Sequence, residues 1–398
     1  EYCLASNNGT TGKGVVAIWA WSSKNLVFQY CIATGTATSG PDGGGYDLDG
    51  GTENCIIQYC YSGYNAGPGY MHCDYPWSRP TRNNTIRYCL SENDGRKAAD
   101  NRCSYLFISW GNGLEACHMY NNTAFISTNG NYSVYGLWGY ILTGYSEGDH
   151  PHITGCTARN NIFYVRGEDH YLVSLDGGST PITYENIILQ GNCYFAEESN
   201  STRWLDNNMT YLSLDSWQKE SGQEIHNGSE TGYVLNPALK NPGTAGLLKN
   251  PRKLNGMNSY QLEEESGIID KGLDLKTAFG METPEHDFFG NPSLQGVSQD
   301  IGFFETRKSA GVNTPQNRKP GFIGFPNPAV KSMNLTFVSD QIIRETAILS
   351  LNGELVRKEY HPENKIIYSI MMPEKPGMYV LQILFQSGEK QTSRIVVL

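Results

Sequence analysis

Through the first half of the chain, apolar runs of a few residues alternate with clusters of Gly, Asn, Ser and Asp, too short and too densely interrupted for helices. The runs come in pairs. Leu26-Val27-Phe28, Ile56-Ile57, Thr85-Ile86 and Ile187-Ile188-Leu189 form one set. A second set precedes them: residues 15–19, Tyr46-Asp47-Leu48-Asp49, Tyr70-Met71-His72, residues 105–108 and residues 171–175. After the first set comes a recurring signature: Tyr2-Cys3, Gln29-Tyr30-Cys31, Gln58-Tyr59-Cys60 and Arg87-Tyr88-Cys89, with cysteines spaced by 28, 29 and 29. The slot then passes to Asn in Tyr120-Asn121, Asn160-Asn161 and Gly191-Asn192. A period in the high twenties built from short strands predicts a solenoid, and no stretch carries the 3.6-residue period of a helical repeat. Rungs stack about 4.8 Å apart, so a residue type repeated in one slot forms a ladder. Asn121, Asn161 and Asn192 are the expected amide ladder, with Cys31, Cys60 and Cys89 as small apolar substitutes in the same inner position.

Residues 41–60 concentrate polar chemistry around one of these strands. Asp42, Asp47 and Asp49 lie among Gly40, Gly43, Gly44, Gly45, Gly50 and Gly51. Strand alternation puts Asp47 and Asp49 on one face, about 7 Å apart, with Tyr46 and Leu48 on the other. Like charges so placed are unfavourable unless something uses them. Capping of the Gly50-Gly51 turn is the competing structural role, and the one-acid copy Ser174-Leu175-Asp176-Gly177-Gly178 supports it.

The period fades after Phe195. Residues 213–224 read as a short helix with a Ser/Asp start. Segments around Asp270, Asp287, Asp300 and Glu305 read as turn-forming pieces of a closing segment over about residues 196–305, expected to cover the open end of the stack. Residues 306–321 read as a linker, with Val312 the one large apolar side chain up to residue 320. From residue 322 to 398 the alternation is that of a small antiparallel sandwich, with Asn352-Gly353 as its strongest hairpin signal.

Composition narrows the function. The 398 residues include 44 Gly and 25 Tyr, with 18% charged residues and a net charge of −10. That balance fits an all-β chain and argues against nucleic-acid binding. No apolar run is long enough to span a membrane. The chain opens at Glu1-Tyr2-Cys3, inside a repeat, so its start carries no address. Ten cysteines suggest disulfides in an exported protein. Their ladder placement favours buried free thiols instead, with adjacent-rung disulfides as the alternative and a reducing or anaerobic setting implied.

Asp47-Leu48-Asp49-Gly50-Gly51, Asn54-Cys55-Ile56-Ile57-Gln58-Tyr59, Ile86-Arg87-Tyr88 and Ser91-Glu92-Asn93-Asp94-Gly95 resemble repeats of right-handed parallel β-helix proteins of the pectate-lyase-like superfamily. The resemblance covers roughly residues 1–305 and implies a secreted bacterial β-helix. The chain departs from that group in holding Cys rather than Asn in four rungs of the ladder slot. Pro326-Asn327-Pro328, Leu351-Asn352-Gly353, Pro376-Gly377-Met378-Tyr379 and the terminal apolar strand resemble the C-terminal sorting domain of the type IX secretion system of Bacteroidetes. This implies engagement with that machinery, then release or attachment at the outer cell surface; an ordinary immunoglobulin-like accessory domain is the alternative.

The long flank of a β-helix suits a polysaccharide. Trp19, Trp21, Tyr46, Tyr64, Tyr70, Trp77, Trp110, Tyr135 and Trp138 lie near strands that would line it. A glycoside hydrolase acting through Asp47 and Asp49, with Asp94 reaching the same flank, is the leading expectation, because such enzymes pair a protonated carboxyl with an ionised one. Tyr46, Glu53, Tyr70, His72, Asp74, Arg87 and Trp110 are the expected substrate contacts. The runner-up is a lyase with calcium on Asp47 and Asp49 and Arg87 or Lys97 as base, Arg79, Arg82 and Arg96 being the other nearby cations. Hydrolysis itself needs no cofactor. Asp149-His150-Pro151-His152 has the residues of the epimerases' Asp-Pro-His segment in the wrong order. The non-catalytic alternative is a monomeric glycan-binding or adhesive β-helix.

Overall fold

A computed structural model gives the architecture of the chain. It describes residues 1–398 apart from 11, 13, 39–41, 76, 97–102, 110–112, 128–139, 144–152, 169, 176–184, 199–201, 307–321, 326–329, 340–341, 362–366 and 389. Trp110, Lys97, Tyr135, Trp138, Asp149, His150, Asp176 and most of the linker therefore lie outside the described residues. The chain divides into two compact units, Glu1–Ser309 and Ala310–Leu398.

The first unit is a parallel β-solenoid. Its longest sheet has eight strands, among them Ile32–Thr34, Tyr61–Gly63, Leu90–Glu92, Thr123–Ser127 and Ile162–Arg166. A six-stranded sheet contains Val27–Gln29, Ile56–Gln58, Thr85–Arg87, His118–Tyr120, Cys156–Arg159 and Ile187–Gln190. The third sheet has five strands: Ile18–Ala20, Tyr46–Leu48, Tyr70–Asp74, Tyr105–Ser109 and Tyr140–Thr143. All pairings within these three sheets are parallel. Side chains that no single rung could bury make the interior, including Tyr46, Ile57, Cys60, Ile86, Tyr70 and Phe107. Tyr46, Tyr70 and Tyr105 stack ring on ring at 4.9 and 5.2 Å, close to the rung spacing.

The Tyr-Cys signature turns a corner. Tyr2, Tyr30, Tyr59 and Tyr88 all have φ between 49 and 56°, and Asn121, Asn160 and Gly191 continue that left-handed position up the stack. A bulky residue is disfavoured there by roughly 1–2 kcal/mol. Stacking of Tyr2 on Tyr30 and of Tyr30 on Tyr59 offsets it. The inner amide ladder is therefore Asn122, Asn161 and Asn192, one residue on from the expected Asn121 in the first case. Cys89 N–H donates to Asn122 Oδ1 at 3.0 Å, and Nδ2 of Asn122 and of Asn161 each donate to the next Oδ1 at 3.0 Å. Asn121 instead donates to the carbonyl oxygens of Asp300 and Gly302.

The closing segment also differs from expectation. The interior ends on the helix Leu214–Ser221, capped by Ser213, whose Trp217 stacks on Trp204 at 5.9 Å beneath the last rungs. The later residues instead cover the side of the stack. Leu254, Tyr260, Ile268, Phe288 and Phe303 bury the outward aromatics Tyr59, Tyr61, Tyr88, Tyr120 and Phe125. Tyr59, Tyr61 and Tyr120 hydroxyls donate to His286, Gly246 and Glu282 carbonyls. The four acids of this segment are turn formers, as expected: Asp287 accepts from Phe289, Asn291 and Glu305 N–H, and Asp300 accepts from Asp270 and Thr306 N–H.

The second unit has a three-stranded and a four-stranded antiparallel sheet. Ile348, Ile370, Leu381, Ile383, Phe385 and Ile395 are in its core. Gly353, at φ 85°, turns the hairpin between Ile343–Ser350 and Leu355–Tyr360.

Candidate functional site

Asp47 sits in register between Trp19 and Met71 on neighbouring rungs. Tyr46 and Leu48 go into the interior, so Asp47 and Asp49 share the outward face as alternation requires. Over the next two rungs that face becomes apolar: Met71 and Cys73, then Leu106 and Ile108, cluster with Cys103, Val16 and Tyr75. The carboxylates therefore lie at the edge of a dry patch, with Asp47 only 3% exposed and Asp49 8%.

Their environments differ. Asp49 accepts Gly50 N–H at 2.7 Å. Asp47 Oδ1 is buried with no hydrogen-bond partner. Burial raises the Asp47 carboxyl far above the usual carboxylate range, and the charges of Asp49 and Asp42 raise it further. Burial also lifts Asp49, to about 6, against the lowering effect of the Gly50 N–H. Burial raises the half-buried Asp42 as well. Burial and neighbouring charge therefore both favour the protonated form of Asp47, whereas a backbone N–H favours the ionised form of Asp49.

An aromatic group borders these acids. Trp21 packs on Tyr75 at 5.6 Å, and Tyr75 stacks with Trp77 at 5.5 Å. Tyr75 packs against the cluster that contains Met71, the next-rung neighbour of Asp47, and desolvation and then nearby charges raise its hydroxyl. Trp77 is 78% exposed and Trp19 53%. Gly50 allows this approach: a Cβ there would stand 2.7 Å from Ser78 Oγ and 3.1 Å from the Trp21 ring. Tyr75 was not among the residues anticipated, although the run Asp74-Tyr75-Pro76-Trp77 after a strand was a visible aromatic signal.

Other expected contacts are placed elsewhere. Tyr46, Tyr70 and His72 are corrections: inward-pointing and fully buried, they have no surface for a sugar, and burial lowers the His72 imidazole to about 3. Asp94 does not converge on Asp47. It accepts from Ser91 Oγ at 2.7 Å and from Asn65 N–H and Nδ2 at 3.0 and 2.8 Å, a corner ladder continued by Asn65 Oδ1 and Thr36 N–H. Asp74 is buried and accepts Gly113 N–H at 2.7 Å. Glu53 pairs with Lys24 at 2.5 Å, in a bridge ladder Lys24, Glu53, Arg82 along the outside. Arg87 donates to Gln58 Oε1, Tyr120 Oη and the Glu282 carbonyl on the six-stranded sheet, remote from a base's position beside Asp47. A calcium ion wants six to eight oxygens. Among the described residues no group of three or more His, Cys, Asp or Glu side chains is arranged to hold a metal.

Residues 324–398 match the family model of the secretion system C-terminal sorting domain. The chain ends in a type IX sorting domain. The sorting domain implies interaction with the secretion machinery and makes this a secreted or cell-surface protein. No helix among the described residues is long and apolar enough to cross a membrane. No curated protein matches the chain.

Proposed function

We propose that the solenoid is a secreted glycan-acting domain and that Asp47 and Asp49 are a hydrolytic pair. The observation that supports this most is the unequal placing of two outward carboxylates next to the Trp21, Tyr75 and Trp77 rings, with Asp47 Oδ1 buried and unpartnered and Asp49 accepting the Gly50 N–H. Aromatic faces take sugar rings. A carboxyl held protonated at neutral pH can deliver a proton to a glycosidic oxygen, while its ionised neighbour serves as nucleophile or as base for water. Asp47 has the acid's environment and Asp49 the base's.

The burial of both carboxylates favours one second reading, glycan binding without cleavage, in which the acids only shape the floor under the aromatic rings. Incubating the full chain with a panel of polysaccharides separates the two. New reducing ends without the ultraviolet absorbance of unsaturated uronates support hydrolysis. That absorbance would indicate a lyase instead, and binding without either signal leaves the second reading. Loss of reducing-end release in both Asp47→Asn and Asp49→Asn is required by the assignment.

A further inference from the structure

We infer that the glycan is held at both ends of the acid pair, so that the site takes an internal stretch of a polysaccharide rather than a chain end. The inference rests on the glycan reading above and adds how the ligand lies. Strand register fixes one end. Trp19 is the partner of Asp47 on the preceding rung, one strand spacing of about 4.8 Å away, and it is 53% exposed. A turn fixes the other end. Ser78 N–H donates to the Tyr75 carbonyl at 3.0 Å, which holds Trp77 in a tight turn. That turn seats on Gly50, the residue after Asp49, where a Cβ would stand 2.7 Å from Ser78 Oγ. Trp77, 78% exposed, is therefore placed at the Asp49 end of the pair, as Trp19 is at the Asp47 end. Trp21 and Tyr75 line the way between them, with Trp21 packed on Tyr75 at 5.6 Å and Tyr75 on Trp77 at 5.5 Å. Residues two apart in a strand are about 7 Å apart, so rings at the two ends of the Asp47–Asp49 span serve different sugars of one chain. A site for a chain end needs a platform on one side of its acids only. Two exposed rings with the acids between them suit a chain that continues in both directions.

Calorimetric titration of the full chain with oligosaccharide ladders cut from cellulose, xylan, chitin and pectin, from disaccharides upward, tests this. In a ladder that binds, affinity should climb with each added ring until the chain reaches both tryptophans, and then level off. Trp19→Ala and Trp77→Ala should each weaken the long members roughly 2- to 10-fold, and Trp19→Tyr, which keeps a ring, should restore most of the loss. Both rings are exposed, so these variants should keep the parent Tm. Where the parent polysaccharide is cleaved, mean chain length should fall from the start, with mixed oligosaccharides as products. Full affinity already at the disaccharide, a monosaccharide as the first product, or Trp19→Ala without effect where Trp77→Ala weakens binding would overturn the inference and leave the glycan reading standing. Binding by no ladder, or binding indifferent to both substitutions, would remove both.

Discussion

Asn192 donates its side-chain amide to Glu224 across 2.6 Å, and there the ladder of amides inside the solenoid stops. Each Asn both donates and accepts, so each passes the pattern to the next rung. An ionised carboxylate only accepts. Glu224 also receives the hydroxyls of Tyr194 and Thr231, so three side chains converge on one buried group.

That ending makes stability depend on pH. Burial lifts Glu224 from 4.5 to about 7 despite its donors. The folded chain holds this proton more tightly than the unfolded chain, so the contribution is full below the unfolded value and is lost as pH rises through about 7. Glu224→Gln fixes the neutral form. Its Tm should match the parent near pH 4 and exceed it at pH 8, by on the order of 5 °C. A Tm lowered equally at both pH values would show that the carboxyl is needed for its shape rather than its titration.

The helix that closes the interior gives a second test. Trp217 is fully buried against Trp204 and donates Nε1–H to Asp206 Oδ2 at 2.8 Å. Trp217→Ala should destabilise the solenoid by about 3–5 kcal/mol. Hydrogen exchange should accelerate first in Ile187–Gln190 and Cys193–Ala196, and last in Ile56–Gln58. Uniform acceleration would mean that the solenoid opens as one unit and that the helix is not a local plug.

The period was readable because stacking forces one residue type into one slot, and the glycine- and asparagine-rich corners exposed the joints. The slip at Asn121 shows what was missed. Asn160 and Gly191 align with Tyr88 as left-handed corner residues, and Asn is suited to that conformation as Tyr is not. Taking the corner rather than the cysteine as the register mark would have placed Asn122 in the ladder. The site was legible only in part. Alternation put Asp47 and Asp49 outward, but it gave no warning that Asp94 would be tied to Asn65 at another corner. The sideways course of residues 239–305 depends on contacts such as Glu92 with Tyr260, over 168 residues of sequence, which no local pattern encodes.

All ten cysteines are free thiols, and every one except Cys3 is buried. Burial raises the thiols of Cys60, Cys73, Cys103 and Cys117, which removes the reactive thiolate. A disulfide reagent added to the native protein without reductant should titrate one thiol quickly, and all ten after denaturation. Fewer than ten after denaturation would reveal adjacent-rung disulfides.

The pair Asp47 and Asp49 carries the sharpest prediction, because its two carboxyls have different surroundings: Asp47 Oδ1 has no partner and Asp49 accepts the Gly50 N–H. If Asp49 must be ionised and Asp47 protonated, glycan cleavage should rise with pH through about 6, as Asp49 loses its proton. It should fall again only where Asp47 gives up its proton, which burial and the Asp49 and Asp42 charges push upward from the usual carboxylate range. Asp47→Asn keeps the shape and removes the transferable proton, so kcat should fall by roughly 10²- to 10⁴-fold, the usual range for general acid catalysis. Asn is as neutral as the protonated Asp47 it replaces, so any residual activity should keep its acidic limb near pH 6, where Asp49 loses its proton. Asp42→Asn should lower that limb without abolishing cleavage, since Asp42 acts on the pair only through its charge. An acidic limb that stays at the same pH in Asp42→Asn would show that Asp49 is not the group being titrated.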